Sequence, residues 1–253
     1  QKYSQHALGW KVLGALLGQA GQYIAALEAN RKAVEISPSD AKAHNNLGAT
    51  FMKTGKLDDA VSSFKKAIAI DPNLAEAHYN LANVFKSQNN LPEAEISYKR
   101  STSLKPNYDR AYNNLGVTLH ELGKLRDAEE ALEEAIKLRP DFADAYYNLG
   151  NTQKELKKLL NAEKCYKKAI HFEFDDVKVH HNLGVVLQEM GKLNEAELAY
   201  KEALKCKSDF ADSLLNLSIL YSYLDAYELE ISTLESLLKI DSDHFGLRAS
   251  VNL

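Results

Sequence analysis

Six asparagines recur at a fixed interval: Asn46, Asn80, Asn114, Asn148, Asn182 and Asn216 stand 34 residues apart. A carboxamide offers one acceptor oxygen and two N–H donors, so it can pair with both the C=O and the N–H of a peptide bond, whatever side chains that peptide bears. A row of them at constant spacing suits recognition of an extended backbone. Six net hydrogen bonds at about 0.5–1.5 kcal/mol each give roughly 3–9 kcal/mol. Ordering a peptide costs about 1–2 kcal/mol per residue, so the row acts as a rail, with specificity coming from elsewhere. The same residues have a second reading, in which Asn at this slot only caps or solvates a helix surface. On the rail reading, changing Asn114 and Asn148 to Ala leaves stability almost untouched.

Other reactive side chains lack a chemical arrangement. His44, His78 and His180 share one register with Trp10, Tyr112 and Tyr146, which suits a flat ring packed between helices. None has a second His four residues on, as helical zinc sites require, and the neighbours His180 and His181 point different ways on a helix. Cys206 shares a register with Ile36, Ile70, Leu104, Leu138, Phe172 and Ile240, which predicts a buried apolar substitute. Cys165 falls in a small-residue slot with Ala29, Ser63 and Ala131. The pairs Lys65-Lys66 and Lys167-Lys168 share the outer phase of Arg31-Lys32 and Lys99-Arg100, a solvated face. There is no glycine-rich phosphate loop, nucleophile elbow or paired acid, so the expectation is no catalytic residue, no metal site and no cofactor.

The interval that spaces the asparagines spaces everything else. Leu13, Leu47, Leu81, Leu115, Leu149, Leu183 and Leu217 step by 34, and so do Ala26, Ala60, Ala94, Ala128, Ala162 and Ala196. Seven units result: 7–40, 41–74, 75–108, 109–142, 143–176, 177–210 and 211–244. Each reads as two helices. In the second, Ala43, Leu47, Gly48 and Phe51 share one helical face. Gly55 suits a left-handed helix end. Ala60, Phe64, Ala67, Ile68 and Ile70 form the apolar face of the next helix, and Asp71-Pro72 ends it. N-caps are predicted at Ser39, Asn73, Asn107, Asp141, Asp175, Asp209 and Asp243, with a capping box from Asn73 to Glu76. Alanines mark close helix crossings. One such pair cannot bury its own apolar faces, so the units must stack.

The series Trp10…Leu13-Gly14…Ala26…Ala33…Pro38, and Asn46-Leu47-Gly48…Phe51…Ala60…Phe64…Ala67…Pro72 after it, resembles the tetratricopeptide repeat (TPR) over residues 7–244. The resemblance implies an all-α fold, a right-handed α-solenoid of stacked antiparallel helix pairs whose first helices line a concave groove. It places the asparagines in that groove, where they resemble the ladder lining the repeat superhelix of the O-linked N-acetylglucosamine transferases. The implied function is a non-catalytic protein-interaction scaffold holding an extended peptide or partner protein; the alternative is the substrate-recognition arm of a larger transferase. The seventh unit departs from the pattern at Ser218, Asp225, Glu230 and Leu237. Residues 1–6, which open Gln1-Lys2-Tyr3 without Met, read as the end of a preceding segment. Residues 245–253 read as the start of a further helix, and exposed solenoid ends allow end-to-end self-association.

Charge narrows the partner. The 253 residues carry 31 basic and 35 acidic side chains, a net −4 that argues against nucleic acid. In the implied groove, Lys42, Glu76, Arg110, Asp144, Lys178 and Asp212 alternate in sign, so neither an acidic nor a basic peptide is favoured. A carboxylate clamp needs Asn and a base where Ala15 and Glu76 stand. No apolar run is long enough to cross a bilayer. Two cysteines cannot build a disulfide scaffold, which points to a reducing, cytoplasmic compartment.

Overall fold

The computed structural model describes residues 6–174 and 176–240, all of whose regular structure is helical. The chain divides into two compact units, Gln1–Leu138 and Arg139–Leu253. The first contains α1 (Ala7–Gln19), α2 (Tyr23–Ile36), α3 (Ala41–Lys53), α4 (Leu57–Ile70), α5 (Ala75–Ser87), α6 (Leu91–Leu104), α7 (Asp109–Glu121) and α8 (Leu125–Leu138). The second contains α9 (Ala143–Glu155), α10 (Leu159–His171), α11 (Val177–Glu189), α12 (Leu193–Cys206), α13 (Ala211–Tyr223) and α14 (Tyr227–Ile240). In each unit odd-numbered and even-numbered helices pair across a short turn, and each pair packs on the next. This is the α-solenoid expected from the sequence. The further helix expected to begin in residues 245–253, and the predicted caps Asp175 and Asp243, lie outside the described residues.

The turns keep the register too. Gly21, Gly55, Gly123 and Gly191 have φ of 74–76°, and Asn89, Lys157 and Asp225 take the same slot at 54–58°. The 34-residue interval therefore demands a left-handed residue even where no glycine stands, at a cost of roughly 1–2 kcal/mol for a side chain other than Gly. Asp225 in the divergent last unit conforms, and α13 and α14 still pair.

In five of the pairs the two helices meet over a glycine that has no room for a Cβ, and in α5 and α13 the small residues Ala82 and Ser218 hold that position. A Cβ built at Gly48 would lie 2.7 Å from the Phe64 ring, at Gly150 2.7 Å from Tyr166, at Gly184 2.6 Å from Tyr200, and at Gly116 2.5 Å from Leu132. Ala26, Ala60, Ala94, Ala128, Ala162 and Ala196 are fully or almost fully buried at the same crossings. Where Ser101 replaces an alanine, its hydroxyl donates to the Ala75 carbonyl at 2.9 Å, so the buried oxygen is satisfied.

Ion pairs join consecutive pairs. The buried Glu95 carboxylate accepts from Lys99 on its own helix (2.8 Å) and from Lys124 before α8 (2.7 Å); Glu163 does the same with Lys167 (2.6 Å) and Lys192 (2.7 Å). Burial pushes both carboxyls up, but the lysine hydrogen bonds outweigh it and the net displacement is downward.

Three expectations need correction. Cys206 is exposed, and Ile36, Ile70 and Ile240 in its register are each at least 36% exposed, because the last residue of an even-numbered helix projects past the crossing. The helices begin one residue later than the predicted caps: Leu74, Tyr108, Phe142 and Phe210 occupy the cap positions without a capping side chain, whereas Asp40 (to the Ala43 N–H, 3.1 Å) and Asp176 (to the Lys178 N–H, 2.8 Å) each bond a helix-start amide. The Asn73–Glu76 capping box does not form, since Asp71 accepts the Asn73 N–H and Glu76 pairs with Lys105 at 2.9 Å.

Gly48→Ala is expected to lower unfolding free energy by about 1–3 kcal/mol through overpacking against Phe64. Gly18→Ala, where an added Cβ meets nothing within 4 Å, is expected to raise it by about 0.5–1 kcal/mol. Urea unfolding followed by circular dichroism measures both.

Candidate functional site

The six asparagines sit near the middle of α3, α5, α7, α9, α11 and α13, each half-buried. The following Leu (Leu47, Leu81, Leu115, Leu149, Leu183, Leu217) is buried, so helical periodicity holds the Asn one step off the core, at the boundary with solvent. In the first unit, Asn46 borders two recesses. One of about 350 Å³ lies among Lys11, Val12, Lys42, Asn45 and Glu76; the other, of about 340 Å³, reaches Asn80. In the second unit Asn216 borders a recess of about 630 Å³ with Val185, Gln188 and Tyr223.

The asparagines are not equivalent. Asn80 donates to Asn45 Oδ1 at 3.0 Å. Asn114 donates to Asn83 Oδ1 (3.1 Å) and to the Tyr79 hydroxyl (3.2 Å), while its own Oδ1 accepts from Asn113 (3.2 Å). Asn182 repeats this two repeats later: its amide donates to Asn151 Oδ1 at 2.9 Å and more weakly to the Tyr147 hydroxyl at 3.5 Å, and its Oδ1 accepts from Lys154 at 3.2 Å. The acceptors are themselves held from behind, Tyr98 donating to Asn83 at 2.6 Å and Tyr166 to Asn151 at 2.8 Å. Each unit thus contains one copy of a Tyr–Asn–Tyr–Asn cluster, made of Tyr79, Asn83, Tyr98 and Asn114 or of Tyr147, Asn151, Tyr166 and Asn182.

Rings keep the clusters in place. Tyr79 meets Tyr98 at 5.9 Å and Tyr108 at 4.9 Å between centroids, and Tyr147 meets Tyr166 at 6.2 Å and Phe174 at 4.9 Å. Burial raises the pKa of Tyr98 and Tyr166, and pushes that of Tyr108 up to about 12, so these phenols keep their protons. Burial also lowers the pKa of Lys154.

The expected two-way pairing with a peptide bond is therefore not open to Asn114 and Asn182 alone, because both amide N–H groups are already directed at chain partners. Each oxygen keeps a second lone pair. Asn114 is also not a structurally silent position, contrary to the expectation from its spacing. Sequence reasoning missed Tyr79, Asn83, Tyr98 and their counterparts. The signal was a 68-residue step within the 34-residue one, at which all four residue types, together with Glu95/Glu163 and Lys124/Lys192, return unchanged.

Further ion pairs are Lys11–Asp40 at 2.6 Å, Lys86–Glu121 at 3.2 Å, Lys105–Glu76 at 2.9 Å and Lys157–Glu189 at 2.9 Å. His44 and His78 each hold a backbone carbonyl six residues back, Pro38 at 2.9 Å and Pro72 at 3.1 Å, so Nε2 carries the proton in both. Tyr146 in their register stacks on Phe172 at 5.7 Å. Among the described residues, no group of three His, Cys, Asp or Glu side chains could hold a metal ion, and no helix is long and apolar enough to cross a membrane.

Comparison with known proteins places this architecture. The family described as the cilia and flagella-associated protein 70 C-terminal domain, a TPR family, matches residues 5–223. No curated protein gives a significant match. Among solved structures, pilF of Pseudomonas aeruginosa superposes with a TM-score of 0.70 at 23% identity, over 84% of this chain and 97% of its own. YrrB, described as a TPR protein with an unusual peptide-binding site, gives 0.66 at 23% identity over 76% and 100%. The APC/C assembly Cut9–Hcn1 gives 0.69 at 18% identity, covering 96% of this chain and 48% of the other. At these identities the structures share the fold.

Asn182→Ala strips donors from Asn151 and Tyr147 and is expected to cost about 1–3 kcal/mol. Asn46→Ala, which breaks none of these bonds, is expected to stay within about 0.5 kcal/mol of the parent. Chemical denaturation of the two variants side by side measures the difference.

Proposed function

Since the chain belongs to the TPR family of the cilia and flagella-associated protein 70 C-terminal domain, we propose that it is a non-catalytic protein-interaction scaffold whose odd-numbered helices hold an extended peptide through Asn46, Asn80, Asn114, Asn148, Asn182 and Asn216. On this reading six of the seven repeats assigned to residues 7–244 each contribute one asparagine, and the first has Val12 in its place.

One observation carries the proposal. The Tyr79 hydroxyl accepts from the Asn114 amide nitrogen at 3.2 Å and still has its own proton to give, while the oxygen of the same carboxamide keeps a second lone pair. Tyr147 and Asn182 repeat the arrangement. An acceptor and a donor side by side match the N–H and C=O of one peptide group, so each Asn–Tyr couple does what the carboxamide alone no longer can. The couples are half-buried, where a hydrogen bond is shielded from water yet reachable. A local balance of charge around them leaves the peptide's net charge nearly indifferent. The peptide-binding description of YrrB, which has the same fold, agrees with this use of a TPR surface.

Fluorescence anisotropy with labelled, end-capped decapeptides selected from a random array tests the proposal. The double variant Tyr79→Phe/Tyr147→Phe is expected to weaken binding about tenfold, one to two lost hydrogen bonds' worth, while leaving peptide sequence preference unchanged. Affinity equal to that of the parent would remove these couples from the binding surface.

A further inference from the structure

Asn30 breaks a register that every other repeat fills with a large side chain. The equivalent positions are Phe64, Tyr98, Leu132, Tyr166, Tyr200 and Leu234, all buried, and Tyr98 and Tyr166 extend their hydroxyls to the asparagine-bearing helices. Asn30 is 1% exposed and packs on Gly14 just as those rings pack on Gly48, Gly150 and Gly184; a Cβ at Gly14 would fall 2.1 Å from Asn30 Oδ1. Being shorter than the side chains it replaces, Asn30 leaves space above it. That space is the recess of about 340 Å³ lined by Gly14, Gly18, Tyr23, Asn46, Met52 and Asn80, with Asn30 among its lining residues.

The orientation of the Asn30 amide is fixed. Its nitrogen donates to Thr50 Oγ1 at 2.9 Å and lies 3.4 Å from the Asn46 carbonyl, which can only accept, while Thr50 itself donates to that carbonyl at 2.9 Å. Asn30 Oδ1 is thereby turned to the α1 side of the recess, buried and without a hydrogen-bond partner among the described residues. A buried acceptor with no donor is rare in folded proteins.

We propose that this recess is a side-chain subsite that takes an aromatic residue bearing an O–H or N–H donor, tyrosine or tryptophan, from the bound peptide. The ligand supplies the ring and hydroxyl that Tyr98 and Tyr166 supply for themselves. Gly14 and Gly18 leave a flat wall for the ring, the Met52 thioether is a favourable neighbour for its edge, and the donor answers the Asn30 oxygen once the entering side chain parts it from Gly14, against which it lies covered in the free chain. Asn46 and Asn80 border the same recess, so a peptide on the asparagine row delivers a side chain into it; the inference rests on the peptide-binding reading and adds specificity to it.

The test titrates N-acetyl-tyrosinamide and N-acetyl-phenylalaninamide into the full ¹⁵N-labelled chain, reading the Gly14 and Gly18 amides and the Asn30 side-chain NH₂. Tyrosinamide is expected to shift them and to bind about tenfold more tightly than phenylalaninamide, a single hydrogen bond to a buried acceptor. Asn30→Tyr and Asn30→Leu, each a residue found at this register in other repeats, are expected to abolish the shifts while keeping the parent melting temperature. Equal binding of the two amides, or tyrosinamide binding that survives Asn30→Leu, overturns the proposal. If neither variant folds, the comparison of the two amides on the parent chain decides. Tyr79→Phe/Tyr147→Phe separates the two readings: it leaves tyrosinamide binding unchanged if the subsite stands, even where the decapeptide result has removed the backbone couples.

Discussion

The approach of the two helices in each pair governs the rest of the structure. A glycine on the odd-numbered helix leaves the side chain sixteen residues later no alternative but to lie flat across it, as Phe64 does on Gly48 and Tyr200 on Gly184. That contact sets the distance between helices and fixes the direction in which the second residue points. Because its far end emerges toward the asparagine-bearing helices, its chemistry becomes part of their surface. Phenylalanine and leucine end there without a polar group, tyrosine delivers a hydroxyl that fastens Asn83, Asn151 or Gln188, and asparagine stops short and leaves a recess. One crossing therefore yields three local surfaces from one register.

This explains why the six asparagines, identical in sequence position, differ in what they offer. Asn114 and Asn182 are braced by Tyr98 and Tyr166 through Asn83 and Asn151, so they are preorganised at a cost already met during folding. Asn46 sits beside the unfilled register of Asn30 and faces open recesses instead. A peptide lying on such a row would meet rigid backbone couples at some repeats and a side-chain pocket at another.

Much of this was legible in the sequence because a solenoid is nearly one-dimensional: spacing alone fixes phase, and phase fixes which side of a helix is covered. The strict interval of 34 marked out the helix pairs and the left-handed turn at Gly55. What stayed hidden depends on contacts between repeats. The lone-residue reading of Asn114 could not anticipate that its donors would be drawn to Tyr79 and Asn83, 35 and 31 residues earlier. Cys206 and the predicted caps failed for a related reason, since both lie at helix ends, where periodicity says least about burial.

The central claim is that the odd-numbered helices recognise peptide backbone. Its most direct measurement is the affinity of an array-selected decapeptide resynthesised with single N-methyl groups at each backbone nitrogen in turn. Methylation removes one N–H while leaving every side chain in place. The account predicts losses of about tenfold at regularly spaced positions, where a peptide N–H meets an asparagine oxygen. Affinity insensitive to methylation all along the peptide would contradict it.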